Sequence, residues 1–381
     1  MAVRVALGQF GGPTTVLNAS LTGAWAALQD AGAHVWGIVG GSRGLRAGRW
    51  VPLLEAPPSW LTTAPGAALG SGREPPNPSS TPALITNLAR AGFDGLVLVG
   101  GNGTMALGAA LQTAARVQGV PLAVAGVPKT IDNDLEGTDH TPGYPSAASF
   151  VASAVRDLGD DLASMAGFED VRLIEVMGRG AGWLAGAGVL ARRHPDDLPQ
   201  VVLIPEVPLD LEAFTEEVAR CHARDGVVLV VVAEGVRLAG QGPLGLHGLD
   251  AAGGTTVLGG AARALAEHLR QRLGLRVRAE SLGFLPRCLR LAQTERDRRE
   301  AQLLGRVAAQ ALLQGRAGMM AALPPRTPGL PTLDSVLVPL VEVGGRERRL
   351  PPEMLSLGPA FTQWLGPLLE IPEHWAPGSL V

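Results

Sequence analysis

The stretch GLVLVGGNGTM, residues 95–105, decides how the chain is read. A short apolar run ends in glycines and passes into a helical pattern over 104–117. A strand that is apolar at every position is covered on both faces, and a strand–turn–helix unit of this kind belongs to α/β layers built on a parallel sheet. The same punctuation recurs on either side. VRVALG (3–8) leads into a helical stretch around 15–30 and then AHVWGIVG (33–40). PLAVAGV (121–127), VRLIEVMG (171–178) and QVVLIPE (200–206) follow, and the helical LEAFTEEVARCHARD (211–225) precedes GVVLVVVAEG (226–235). The expected fold is α/β with mostly parallel sheets.

Composition bounds the rest. At 381 residues the chain is long enough for roughly two domains. Hydrophobic residues make up 46% and charged residues 18%, which describes a folded, soluble protein. A net charge of -3 leaves no basic footprint, so no nucleic-acid partner is expected. Cys221 and Cys288 have no metal-ligand spacing and form no disulfide framework, which suits the cytoplasm. The opening MAVRVALGQFGG lacks the apolar core of a signal peptide, and the longest apolar run, 226–235, is far short of the ~20 residues that span a bilayer. No membrane partner is expected. Residues 52–82, rich in Pro, Gly and Ser, read as a functional loop, and PPRTPGLPT (324–332) as a linker. The charge run TERDRREAQ (294–302) reads as a solvated helix face.

Open parallel sheets bind ligands beyond the carboxyl ends of their strands. The segments there are GGPTTVLN (11–18), GGNGTM (100–105), PKTIDND (128–134), MGRGAG (177–182) and EG (234–235). Glycine turns opening onto helices present backbone N–H groups to phosphate. Gly101, Gly103 and Ala106 also fit a dinucleotide fingerprint, but the next strand ends in lysine, where a ribose needs an acid. No G-x-x-x-x-G-K-[ST] run occurs. Lys129 is the only lysine among 32 Lys and Arg residues. In an extended segment Asp132 and Asp134 share a side and Asn133 turns away. Phosphoryl transfer needs a base for the attacking hydroxyl and positive charge on the moving group. Asp132 supplies the first. A compact ammonium at Lys129 fits between phosphate oxygens where a planar guanidinium would not. The plain alternative is an Asx-rich turn with a solvated lysine. Arg179 suits bidentate phosphate capture. Glu234, closing a buried strand, suits sugar hydroxyls, and Arg278 and Arg287 in RVRAESLGFLPR (276–287) suit phosphate. The inventory fits a phosphorylated polyol meeting a phosphoryl donor.

These segments, with PE (205–206), LGFLPR and VEVGGRERRLPPEM, resemble the 6-phosphofructokinase family in order and spacing over nearly the whole chain. The tail is similar to the branch whose members often use pyrophosphate. The resemblance implies two Rossmann-like three-layer domains with the active site in the cleft between them. Residues 1–144 with 286–324 would bind the phosphoryl donor, and 145–285 with 325–381 the sugar phosphate. It implies Asp132 as general base on the 1-hydroxyl of fructose 6-phosphate, with Lys129, Thr130, Asp134 and Arg179 in the catalytic set. Gly12, Arg73, Gly101, Asn102, Gly103, Thr104 and Met105 would hold the donor. Thr130, Ile131, Asp132, Met177, Gly178, Arg179, Glu234, Arg278, Phe284 and Arg287 would hold the sugar phosphate. Magnesium is implied, held at Asn102 directly or through water, where many relatives carry aspartate. Asp170 replaces an expected phosphate-reading arginine, with Arg172 out of register. Phe284 replaces a polar contact, and PRC stands for a glutamine–arginine–glycine run.

The donor turns on Gly103. Pyrophosphate enzymes resemble one another in carrying aspartate there, in the space of the α-phosphate of ATP, while Lys129 is shared with them. The expected reaction is ATP-dependent phosphorylation of fructose 6-phosphate in glycolysis, by a cytoplasmic homodimer or homotetramer. Pyrophosphate as donor, and a non-catalytic sugar-phosphate-binding regulator, are the alternatives.

Overall fold

Side chains that alternate along each apolar strand enter two different cores. In chain order the strands are β1 (Arg4–Gln9), β2 (His34–Ile38), β3 (Trp50–Pro52), β4 (Gly95–Gly100) and β5 (Ala123–Pro128). They continue as β6 (Val171–Val176), β7 (Val201–Leu203), β8 (Val228–Ala233), β9 (Leu246–Leu249) and β10 (Thr256–Leu258). The last are β11 (Val277–Ser281), β12 (Met319–Ala322) and β13 (Val336–Pro339). The structure is a computed structural model that describes residues 2–72, 81–194, 196–249, 256–326 and 334–371. It separates into two compact units, Met1–Pro145 with Arg287–Arg348, and Ser146–Pro286 with Arg349–Val381.

The first unit holds a sheet ordered β13-β12-β5-β4-β1-β2-β3, parallel from β12 to β2, with antiparallel strands at both edges. Val5, Leu7, Val97 and Val99 pack on one face with Leu21 and Leu28 of the helix Leu17–Asp30 and Leu304 and Leu312 of the helix Glu295–Leu313. Ala6, Leu96 and Leu98 face the other way, onto Ile85 and Leu88 of the helix Thr81–Arg90 and Leu111 of the helix Asn102–Val117. This two-sided burial is why the strands read as uninterrupted apolar runs. Residues 334–348 group with this unit because β13 pairs with β12, whereas the sequence reading set 325–381 with the second domain. Most of the expected linker, 327–332, lies outside the described residues.

The long segment after β3 is fastened to β1. Gln9 and Asn18, both buried, bond each other through Gln9 Nε2 and Asn18 Oδ1 at 2.9 Å. Gln9 Oε1 accepts the Leu69 N–H at 3.0 Å, Asn18 Oδ1 accepts the Ala68 N–H at 2.9 Å, and Asn18 Nδ2 donates to the Ala64 carbonyl at 2.9 Å.

The 294–302 run corrects the sequence reading. It opens the helix Glu295–Leu313, capped by Thr294, but Asp297 and Glu300 are buried. They share a face with Ala301, Leu304 and Ala308, at i, i+3, i+4 spacing, and each meets a donor inside the protein. Glu295 and Arg299 face outward, and Arg296 and Arg298 are half-buried.

The second unit holds a four-stranded parallel sheet, β11-β6-β8-β7, whose central β6 and β8 are buried throughout. Its edge strand β11 was read only as a source of arginines, since its outward residues break the apolar pattern. The buried Glu175 of β6 accepts the N–H groups of Gly260 and Ala262, both at 3.0 Å, and so caps the helix Ala261–Leu273.

In the first unit the helices Leu17–Asp30 and Glu295–Leu313 approach backbone to backbone. A Cβ on Gly305 would overlap the Ser20 carbonyl oxygen, and one on Gly23 the Gln302 carbonyl. Gly305→Ala is therefore expected to cost roughly 1–3 kcal/mol, read from the urea unfolding midpoint. An unchanged midpoint would mean that the two helices separate without penalty.

Candidate active site

β1 lies between β2 and β4, so the chain leaves it first to one side and then to the other. The carboxyl edge at such a switch point is where open α/β sheets bind ligands. Three loops meet there. Gly11, with φ 75°, donates its N–H to the Gly72 carbonyl at 2.9 Å, and Ser71 Oγ donates to the Gly11 carbonyl at 2.6 Å. At the end of β5 the Lys129 N–H bonds the Gly100 carbonyl at 3.0 Å. Its ammonium is buried and donates to the Gly12 carbonyl at 2.6 Å. The helix Asn102–Val117 starts behind Gly101 with no side-chain cap, which leaves a positive helix end facing the loops. The Met105 side chain is fully buried in the core beneath Gly126, so this residue can offer a donor only backbone. A Cβ on Gly103 would meet nothing within 4 Å. Arg73 lies outside the described residues.

PKTIDND turns where an extended strand was expected. Asn133 has φ 53° and is fully buried, and its Oδ1 accepts the Thr141 N–H at 3.0 Å. Asparagine tolerates this left-handed conformation better than most residues. Asp132 and Asp134 thus flank a tight turn instead of alternating along an extended segment, and Asn133 between them points into the protein interior. Thr130 Oγ1 accepts the Asp132 N–H at 3.0 Å, and Ile131 is buried. Burial raises the Asp134 carboxyl above its ordinary value. The Thr130 hydroxyl and Lys129 oppose this, and the charge of Glu347 adds to it.

In the second unit the ends of β6 and β8 are stitched together. The Glu234 N–H bonds the Val176 carbonyl at 2.9 Å, and the Gly235 N–H bonds the Gly178 carbonyl at 3.0 Å. A Cβ on Gly235 would overlap the Arg179 carbonyl, so glycine is required for this approach. Met177, Gly178, Arg179 and Glu234 are brought together, with Arg179 exposed. Glu206, which the sequence reading left out of the site, holds the far end of this turn. Its Oε1 accepts the N–H groups of Gly182 at 3.0 Å and Leu350 at 3.1 Å. The signal for it was PE following directly on a strand.

Arg278 is not with Arg179. It pairs in register with Arg172 near the amino end of β6, is exposed, and lies 3.5 Å from the Glu169 carboxylate. Arg172 makes a bidentate pair with Glu169 at 2.9 and 2.8 Å. Asp170 accepts from Arg276 through its backbone N–H at 2.7 Å and its guanidinium at 2.9 and 2.5 Å. Phe284 is exposed, and Arg287 groups with the first unit.

Residues 4–312 match the phosphofructokinase family. The chain belongs to that family. It is 35% identical over 377 residues to a sulfofructose kinase of Alkalicoccus urumqiensis, covering 97% of this chain and 96% of that one. It is 33% identical to a pyrophosphate–fructose 6-phosphate 1-phosphotransferase of Xanthomonas campestris pv. campestris, covering 91% and 85%. It is 32% identical to an ATP-dependent 6-phosphofructokinase of Propionibacterium freudenreichii, covering 92% and 95%. Among solved structures it is similar to the pyrophosphate-dependent phosphofructokinase of Marinobacter aquaeolei, with a TM-score of 0.86 at 27% identity, covering 98% and 93%. Among the described residues no helix is long and apolar enough to cross a membrane.

Phosphofructokinases generally use Mg2+ with their phosphate donor. Asn102, the residue expected to hold the ion, does not fit that role. Its Nδ2 donates to the Arg346 carbonyl at 2.6 Å and its Oδ1 accepts the Gly345 N–H at 2.7 Å. Among the described residues no three His, Cys, Asp or Glu side chains come together to hold a metal.

Behind the turn lies a buried charge cluster that the sequence reading missed. His140 Nδ1 and Nε2 lie 2.8 Å from Asp139 Oδ2 and Glu300 Oε2 respectively. Arg326 Nε bonds Asp139 Oδ2 at 2.7 Å, and Arg296 Nε bonds Glu300 Oε1 at 2.8 Å. Asp297 Oδ1 accepts the Gly143 N–H at 2.8 Å. Burial alone would lower the His140 pKa, but the hydrogen bonds and charges of both carboxylates outweigh it and raise it above 6.5. Asp139 and Glu300 are held below their ordinary values against burial, by His140 and an arginine each.

The sign of the pH dependence follows. A raised imidazole pKa gives stability that is complete below the unfolded value of about 6.5 and is lost as pH rises through the folded one. The native protein should lose stability relative to His140→Gln on going alkaline from there, measured by urea unfolding across pH. A native protein that gains on the variant over that range would contradict the doubly bonded imidazolium.

Proposed function

We propose that this protein transfers the γ-phosphoryl group of ATP to the 1-hydroxyl of D-fructose 6-phosphate. Asp132 removes the hydroxyl proton, the oxygen attacks the γ-phosphorus, and ADP leaves with the electrons of the broken P–O bond. Backbone N–H groups of Gly12 and Gly101–Met105 would hold the donor, with Lys129, Thr130 and Asp134 beside the moving group. Met177, Gly178, Arg179 and Glu234 would hold the sugar phosphate with Thr130, Ile131, Phe284 and Arg287, and Arg278 would reach a sugar phosphate across a subunit interface. By the same reading the enzyme acts in glycolysis, in the cytoplasm, as a homodimer or homotetramer.

The observation that carries ATP is the space around Gly103. Neither packing nor a positive φ requires glycine there, yet no side chain fills it. An open groove of about 860 Å³ starts at Ala106 and runs along the same helix to Gln118, lined also by Thr86, Val341 and Gly344. Its end nearest Gly103 offers a nucleoside an apolar surface, and pyrophosphate has nothing to place there. Gly103→Asp should fold normally. Its carboxylate would face the α-phosphate, and like charges brought together cost several kcal/mol, so kcat/KM for ATP should fall about a hundredfold or more. Turnover of pyrophosphate in preference to ATP by the native enzyme would overturn the donor reading.

Asp170 favours a second reading of the acceptor. The expected phosphate-reading arginine is replaced by a carboxylate committed to Arg276. A phosphate ester carries a charge of about −1.5 to −2 at neutral pH, and one cation fewer suits a singly charged sulfonate better. The relative named sulfofructose kinase points the same way. Comparing kcat/KM for fructose 6-phosphate and for fructose bearing a 6-sulfonate decides this. Preference for the phosphate supports the first reading, and preference for the sulfonate replaces it.

A further inference from the structure

We propose that Asn102 is a positioning residue, a clasp that seats the segment Gly345–Arg348 on the donor helix, and that it does not act as the ligand of a catalytic cation. The geometry is specific to a carboxamide. One atom donates to a backbone carbonyl and the other accepts from the neighbouring backbone N–H, at 2.6 and 2.7 Å, so the side chain pairs with the turn as a peptide group would in a β-ladder. A carboxylate has no donor, and in this place it would set two acceptors against each other.

The clasp is the first of several ties. The Glu347 backbone bridges to Leu135, and the Arg348 N–H bonds the Asp134 carbonyl at 2.8 Å. Arg348 Nη1 bonds the carbonyls of Thr138 at 3.1 Å and Asp139 at 2.6 Å. Residues 345–348 thus run from the first residue of the donor helix to the turn that carries Asp132 and Asp134. Gly345 takes φ 81°, which lets the chain bend back onto Asn102. The same clasp fixes Gly344, which lines the groove beside Ala106. An aspartate-to-asparagine exchange, which looks like loss of an ion ligand in the sequence, is here a change of job.

The test has a structural arm that needs no activity. Trypsin cleavage after Arg346 and deuterium exchange at the Gly345 amide are compared in native enzyme, Asn102→Ala and Asn102→Asp, with thermal unfolding to verify the fold. Losing the clasp should speed both by about tenfold, the worth of a hydrogen bond or two. Asn102→Asp should be cleaved as readily as Asn102→Ala, since it cannot donate to the Arg346 carbonyl, while its carboxylate still accepts the Gly345 N–H and keeps part of that amide's protection. The kinetic arm rests on the proposed donor site. Both variants should raise the donor KM and leave the sugar phosphate KM and the half-activating Mg2+ concentration unchanged. Unaltered cleavage and exchange in Asn102→Ala would overturn the clasp, whatever the enzyme turns over. A rise in the Mg2+ requirement in Asn102→Ala, reversed in Asn102→Asp, would restore the ion-ligand role. If the native enzyme transfers no phosphoryl group, the functional reading falls while the structural arm still decides the clasp.

Discussion

A buried ammonium cannot stand without acceptors, because removing a charge from water costs far more than a lost hydrogen bond. Lys129 meets that requirement by holding together the ends of three adjacent strands. It sits at the end of β5, its backbone N–H bonds the end of β4, and its ammonium reaches across to the Gly12 carbonyl beyond β1. A Cβ on Gly11 would lie only 3.3 Å from Nζ, so the turn beside the ammonium stays free of a side chain. A compact ammonium suits this place better than a wider, planar guanidinium. In a chain that otherwise uses arginine for its long cations, this one position has kept lysine. The Gly11–Gly12 turn, the start of the donor helix and the Asp132 turn are fixed relative to one another through it.

The charged residues behind the turn extend the same constraint. The loop after Asp134 has few apolar side chains to pin it, so it is held by polar contacts: Asn133 to Thr141, Gly143 to Asp297, and His140 between two carboxylates. The helix Glu295–Leu313 supplies two of the acceptors, Asp297 and Glu300, and Asn133 and Asp139 meet donors within the loop itself. A polar network of this kind specifies one geometry, where an apolar contact would allow sliding.

The α/β architecture was legible because β1, β4, β5, β6 and β8 are largely apolar on both faces, and all of them but β5 run into glycine turns. The edge strands β3, β11 and β13 were not, since one face meets solvent and the apolar pattern dissolves. Asp132, Lys129 and the glycine loops could be placed from the rule that ligands meet strand ends. Asp297, Glu300 and His140 were hidden because a charged residue on a helix is usually solvated, and only the i, i+3, i+4 stripe shared with Ala301 and Leu304 marks the inward face. Asn102 was read through what aspartate does in relatives, and its partner is 244 residues away in sequence. Arg278 followed family spacing, but strand register sets it near the amino end of β6.

The central claim is that the turn at 129–134 carries out phosphoryl transfer with Asp132 as its base. Asp132→Asn keeps the size and removes the base, so single-turnover transfer to fructose 6-phosphate, with ATP and with pyrophosphate in parallel, is the direct measurement. A proton-abstracting base is worth about 10²–10⁴-fold in rate. The account predicts a loss of that order with whichever donor the native enzyme uses, while calorimetry shows the sugar phosphate still binding. Transfer at the native rate in the variant would contradict it.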